Sequence, residues 1–236
     1  MTGINLHVGN VDFSRIDGFT PPVQGGLVAA HFLRKSAAYA MSNVAAGYSS
    51  VPARVLNGSV TYGPEYITFS SGQSAVGTGL PDVGVWTAYA LMKRGGVTGG
   101  ATSADNAIIL GNRSQSSDTN TFLLFTVINN NTIGVSSTGV AYTSVGFPAD
   151  KWCQMKFSRN GNTLTIANLT EGTSGSVANI ATGNGVGVVC LGSIFGGYTA
   201  DLKPALFMGY NRATSGTEDA AVLAYANKYI ANHTLT

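Results

Sequence analysis

The chain has 236 residues, of which only 10% are charged, against about a quarter in an average soluble domain. Its net charge of +2 offers no field for nucleic acid, because the basic residues stand singly or in pairs such as Arg34-Lys35 and Lys93-Arg94. A hydrophobic share of 44% excludes a disordered chain, and the lack of any long apolar run excludes a membrane-spanning helix.

Thirty-one glycines, roughly twice the usual share, describe a fold of many turns. Residues 1–26 read as an extended N-terminal arm, punctuated by Asp17-Gly18 and Pro21-Pro22 and closed by Gly25-Gly26. Its two prolines deny backbone donors to a central strand. No basic stretch with an apolar core follows the first residue, so no secretory signal is expected. The run 27–33 starts a strand or a short helix, and the alanine-rich stretch from Ser36 to Asn43 is ambiguous.

From residue 51 short β-branched and aromatic runs alternate with Gly, Asn, Asp and Ser. The runs 54–61, 65–70, 84–93, 106–111, 121–128, 131–136, 151–158, 162–167, 176–181, 186–191 and 203–210 predict strands. So many short strands with regular turn signals predict a sandwich or barrel. Asn160-Gly161 marks a hairpin; Asn57-Gly58 and Thr138-Gly139 are weaker turn signals. The segments 84–92 and 121–128 are apolar on both faces and predict central strands. Ser215 with Glu218 forms a capping-box pattern, and Val222, Tyr225, Ala226, Tyr229 and Ile230 form one apolar stripe, which predicts a helix packed on the sheets.

Four passages, taken in order, resemble the concanavalin A-like jelly roll of the laminin-G and pentraxin style, as found in bacteriophage virion proteins. They are GLVAAHFL with Asn43 and the later EYITFSSG; VGVWTAYALMKRGG; the tryptophan-led FPADKWCQMKFSRNGNTLTIANLTEG; and LGSIFGGYTADLKPALFMGYNRATSGTEDAAVLAYANKYI. The resemblance covers about residues 27–231 and implies an all-β sandwich of two antiparallel sheets, over 27–236, closed by one C-terminal helix. Thr199-Ala200-Asp201-Leu202 stands where such families carry Gly-x-Ile-Ala, which weakens the carry-over of a calcium or ligand role at that turn.

The chemistry of a catalyst is missing from the residues. Retaining glycosidases hold two carboxyl groups about 5 Å apart, and the only adjacent acids, Glu218 and Asp219, open the predicted helix. His7, His31 and His233 neighbour no Gly-x-Ser-x-Gly elbow, and His31 reads as structural. Cys153 and Cys190 fit no zinc spacing and read as buried thiols. The glycines of 77–80, 95–100 and 183–187 precede no Lys-Ser/Thr helix, so they read as hairpin and loop glycines. No cofactor is expected. A loop calcium on Asp105, Asp118 or Asp201 competes with the plainer reading of solvated turn aspartates.

A recognition surface remains. Sugar sites pair planar polar groups with an aromatic platform, and the loops offer Asn112, Arg113, Asn130, Tyr142 and Tyr198 as glycan-binding candidates. The polar tract RSQSSDTN suits an exposed binding loop. Trp86 and Trp152 lie within strands and read as core. The resemblance implies a non-enzymatic structural protein of the virion, a tail or tail-fibre component acting in attachment. It implies other virion proteins and a host-surface glycan as partners, and a homo-oligomer, usually a trimer. A capsid decoration protein without sugar recognition is the alternative, and a polysaccharide depolymerase is disfavoured.

Overall fold

A computed structural model describes residues 21–69, 74–95, 108–112, 121–127, 132–137, 140–180, 187–192, 202–233 and 235. Two antiparallel sheets form a sandwich. The first has six strands: β1 (Leu27–Phe32), β6 (Val85–Arg94), β11 (Cys153–Asn160), β12 (Thr163–Asn168), β13 (Thr173–Val177) and β15 (Leu202–Tyr210), in the order β1-β15-β6-β11-β12-β13. The second has seven: β2 (Arg54–Asn57), β5 (Ala75–Pro81), β7 (Ile108–Gly111), β8 (Leu123–Val127), β9 (Thr132–Ser136), β10 (Val140–Gly146) and β14 (Val188–Gly192), in the order β10-β9-β8-β7-β14-β5-β2. A small ribbon joins β3 (Val60–Tyr62) to β4 (Ile67–Phe69), and two helices, α1 (Ala37–Met41) and α2 (Gly216–Asn232), complete the described elements.

Both segments read as apolar on two faces lie inside their sheets. In β6 the alternation of the strand sends Trp86, Ala88, Ala90 and Met92 into the core between the sheets, where Val76, Leu80, Ile109, Leu124, Ile133, Phe157 and Ile166 meet them. Tyr89 and Leu91 face the other way, into a second core with Phe32, Leu206, Met208 and Tyr210, roofed by Val222, Ala226 and Tyr229 of α2. The six-stranded sheet is therefore covered twice, by a sheet and by a helix.

The ends of α2 follow its sequence. Ser215 accepts from the Glu218 N–H while the Glu218 carboxylate accepts from the Ser215 N–H, which completes the expected capping box. The helix runs for 17 residues, well beyond its apolar stripe. Arg212 seats it: the guanidinium donates to Glu218 and to the Gly25 carbonyl, 2.7 Å away. It crosses so close over Gly26, whose φ is +74°, that a Cβ there would lie 3.0 Å from it. Residues 21–26 thus lie against the domain, with Val23 buried and its carbonyl accepting from the Tyr210 hydroxyl.

The structure decides two segments that the sequence left open and differs from the sequence reading in others. The run 27–33 is strand β1, and the alanine-rich stretch is the short helix α1, capped by Ser36. The hairpin between β11 and β12 turns on Gly161-Asn162, since Asn160 still pairs with Thr163. Gly161 has φ +59° and Asn162 does not share it, the pattern of a turn that needs glycine at its first central position. The run 54–61 is broken at Gly58: β2 joins the seven-stranded sheet and β3 joins β4. The glycines of 77–80 lie within strand β5, where the Leu56 side chain sits in the space that a Gly77 Cβ would fill.

Asn43 is the polar pin of this architecture. Fully enclosed, its carbonyl oxygen accepts from Ala30 and Ala45 N–H, and its amide donates to the Val28 and Val51 carbonyls. It stands in for a neighbouring strand along β1. Asn43→Ala strands four buried backbone groups and is expected to lose about 3–5 kcal/mol of unfolding free energy, measured by urea titration; a loss under about 1 kcal/mol would count against the role. The Arg212 guanidinium holds the Glu218 carboxyl down to about 2 from 4.5. A depressed acid contributes stability above its unfolded value and loses it as pH falls. The wild-type protein is expected to lose stability between pH 4.5 and 2, and Glu218→Gln to lose that part of the slope.

Candidate functional site

One end of the sandwich gathers most of the connections. The β5–β6 link (residues 82–84), the β11–β12 turn, the β7–β8 loop, the β13–β14 loop and the turn before α2 all emerge there. Backbone bonds tie them together: Asp82 N–H to the Gly187 carbonyl, Gly161 N–H to Gly84, Ile180 N–H to Asn162, and Asn211 N–H to Gly26. Strand polarity alone brings these segments to one edge, because antiparallel neighbours return every second connection to the same side.

Beneath them lies a buried polar cluster centred on Asp82. Arg159 Nη1 donates to its carboxylate at 2.6 Å, with side chains 3% and 0% exposed. Trp86 Nε1 donates to the same oxygen at 2.7 Å, and Asn112 Nδ2 donates to the other. Arg159 also donates to the Gly161 carbonyl, and its guanidinium lies over the Phe122 ring, which stacks on Trp86. The cluster crosses the sandwich: Trp86 and Arg159 belong to the six-stranded sheet, and Asn112 immediately follows β7 of the seven-stranded one. The inward parity of Met155, Phe157 and Arg159 already pointed to a buried cation, and that signal went unread in the sequence.

Above this base the rim is exposed and chemically mild. Val83 and Val85 are 57% and 38% exposed, and Asn160, Asn162 and Asn179 stand beside them on the connecting turns. Amide groups over aliphatic surface suit a neutral polar ligand held by hydrogen bonds. They offer no nucleophile.

The five sequence candidates separate. Asn112 is fully buried: its carbonyl oxygen accepts from Phe122 N–H and its amide serves Asp82, so it supports the loop from below and does not face outward. Tyr142 is not in a loop; its backbone lies within β10, opposite Gly134 of β9. Arg113, Asn130 and Tyr198 lie outside the described residues, as do Asp105, Asp118 and Asp201. The stems of the RSQSSDTN loop are described: Asn112 and Phe122 pair through their backbones at the crowded end.

Of the six described acids, five are in ion pairs: Glu65 with Arg34, Asp82 with Arg159, Glu171 with Lys151, Glu218 with Arg212 and Asp219 with Lys156. Burial pushes the Cys190 thiol up to about 12 and raises Cys153, away from reactive thiolate. His31 is enclosed between the carbonyls of Ser42 and Thr78, and burial pushes it below 6.5, so it joins β1 to β5 as a structural group. Among the described residues no three His, Cys, Asp or Glu side chains gather to hold a metal, and no helix is long and apolar enough to cross a membrane.

Neither a protein-family model nor a curated protein matches the chain. Solved structures do match. A Trypanosoma rangeli sialidase, solved with sialic acid, aligns with a TM-score of 0.63 at 14% identity over 86% of this chain and 33% of its own. The receptor-binding domain of botulinum neurotoxin C/D mosaic serotype aligns at 0.56 and 12% identity, over 86% of this chain and 51% of its own. The exoplasmic/lumenal domain of VIP36, in its calcium- and Man2-bound form, aligns at 0.50 and 12% identity, over 83% and 93%. The chain spans about a third of the sialidase it matches. The likeness is one of fold, a concanavalin-like jelly-roll sandwich.

Removing one partner of a buried ion pair leaves an uncompensated charge, which costs about 3–5 kcal/mol. Arg159→Met is expected to show a loss of that size in equilibrium unfolding. A change under about 1 kcal/mol would mean that the cluster does not hold this end together.

Proposed function

We propose that this chain is a non-enzymatic attachment domain of a bacteriophage virion, a tail or tail-fibre component that holds a host-surface glycan with its loop-bearing end. The observation that carries the reading is the convergence of the connections over the Asp82–Arg159 base. A rigid base under polar loops favours binding, because the loops need order less on contact. Paired acids favour binding over hydrolysis, which needs a carboxylic acid and a carboxylate on opposite sides of a glycosidic bond. Two of the aligned structures were solved with sugars bound, sialic acid on the sialidase and Man2 on the VIP36 domain. Arg113 and Tyr142 remain candidate ligand contacts in this reading, joined by Asn160, Asn162 and Asn179, with Asn112 as their support; the β8–β9 and β14–β15 connections, which carry Asn130 and Tyr198, leave their strands at the opposite end and drop out of it.

A second reading, a decoration or scaffold protein that docks on other virion proteins or on its own copies, is favoured by a different surface. Val44, Tyr48, Val51 and Val55 are each about two-fifths exposed, on and beside β2, the last strand of its sheet. Such a patch suits a protein neighbour.

A glycan array tests the first reading, and electron microscopy of the particle separates tail from shell. Binding to at least one host glycan is expected, weakened about tenfold in Asn160→Ala/Asn162→Ala with the melting temperature unchanged. A flat array, or binding indifferent to that double variant, would defeat the loop-end assignment. Turnover of host capsule would defeat the non-enzymatic one.

A further inference from the structure

One backbone hydrogen bond at the loop-bearing end sets two short sequences side by side. Gly161 N–H donates to the Gly84 carbonyl at 2.8 Å. Gly84 stands between Val83 and Val85, and Gly161 between Asn160 and Asn162. A Val-Gly-Val connection therefore meets an Asn-Gly-Asn turn. The strand register agrees, since Val85 lies directly across from Asn160, and side chains so placed are neighbours on one face of a sheet. A Cβ added to either glycine would meet nothing within 4 Å, so open space lies beside both.

The flanking side chains face that space from the surface. Val83 and Val85 are the exposed valines of this end. Asn160 and Asn162 are exposed as well, and neither side-chain amide has a hydrogen-bond partner among the described residues. The charges underneath are buried and paired, Asp82 with Arg159, which favours a neutral ligand. An aromatic platform is not what the described rim offers: Tyr48, the one aromatic among the exposed large apolar side chains, belongs to the segment between α1 and β2.

A plain hexose is held by its hydroxyls and by a platform under its ring, and only the first of these is met here. An acetamido group is met in full. Its N–H and C=O point in opposite directions, so one asparagine amide accepts from the N–H while the other donates to the C=O. Its methyl group rests on Val83 and Val85, out of water.

We infer that Val83, Val85, Asn160 and Asn162 form an acetamido subsite, by which the loop-bearing end selects glycans that contain an N-acetylated sugar. The inference rests on the glycan-holding reading above and adds to it the class of sugar.

The test uses the full chain with chitotetraose and cellotetraose, tetramers of the same linkage that carry an acetamido or a hydroxyl group at the same position of each ring. Both are titrated by calorimetry and amide chemical-shift mapping. Chitotetraose is expected to bind about tenfold more tightly, with shifts at residues 83–85 and 160–162 and a preference that salt does not weaken. Val83→Thr/Val85→Thr keeps the side-chain shape and exchanges methyl for hydroxyl at two exposed positions, so the melting temperature is expected to hold while the preference is lost. Equal binding of the two tetramers, no binding of chitotetraose, or a preference that survives the valine variant would overturn the subsite. If a glycan without acetamido groups binds instead, and Asn160→Ala/Asn162→Ala weakens it, this inference alone fails. If no glycan binds at all, the attachment reading falls with it.

Discussion

A sheet whose central strand is apolar on both faces needs two covers, and the rest of this molecule follows from meeting that need for β6. Trp86, Ala88, Ala90 and Met92 face the seven-stranded sheet, while Tyr89 and Leu91 face α2. Each large side chain fully buried in this way contributes about 1.5–3 kcal/mol, so neither cover is dispensable. The helix cannot drift from its place, because its N-terminus is fastened at several points. Asp219 accepts from Lys156, Tyr89 and Thr214, and Arg212 links Glu218 to the turn at Gly25.

The same layering explains where polar groups enter the interior. With so few charges in the chain, those that are buried have defined partners. Asn43 satisfies all four hydrogen-bonding positions of its amide along β1 and its neighbouring loop. Asp82 meets Arg159, Trp86 and Asn112 where the two sheets end. Buried polar groups without partners are costly, so these contacts fix the relative register of the sheets more sharply than aliphatic packing would. A stable edge is then available to loops of almost any sequence, which is how one sandwich can serve many kinds of recognition.

The two ends of the six-stranded sheet differ in character. The loop end is capped by amides, glycines and valines over a charge that is already neutralised. The far end concentrates cations and aromatics: Arg34 lies over the rings of Phe32, Tyr39 and Tyr229, and Lys203 lies near Tyr66. Among the described residues, five of the six acids are held in ion pairs.

Local patterns in the sequence were enough for a many-stranded all-β fold, its central strands, the buried cysteines and tryptophans, and the capped terminal helix, while the resemblance chose a sandwich over a barrel. Each of these depends on near neighbours: alternation with period two, a serine three residues before a glutamate, an apolar stripe at helical spacing. Strand β5 escaped notice because its glycines look like turn residues until Leu56, from another strand, is seen to occupy the space above Gly77. Asn112 looked like a loop residue because the sequence cannot show that Asp82 lies beneath it, and Tyr142 because strand β10 has little contrast with its flanks. The pairing of Asp82 with Arg159, 77 residues apart, and of Gly84 with Gly161 was decided by tertiary structure alone. Contacts of that separation depend on strand order, and strand order comes from how the whole chain buries its two-faced strands.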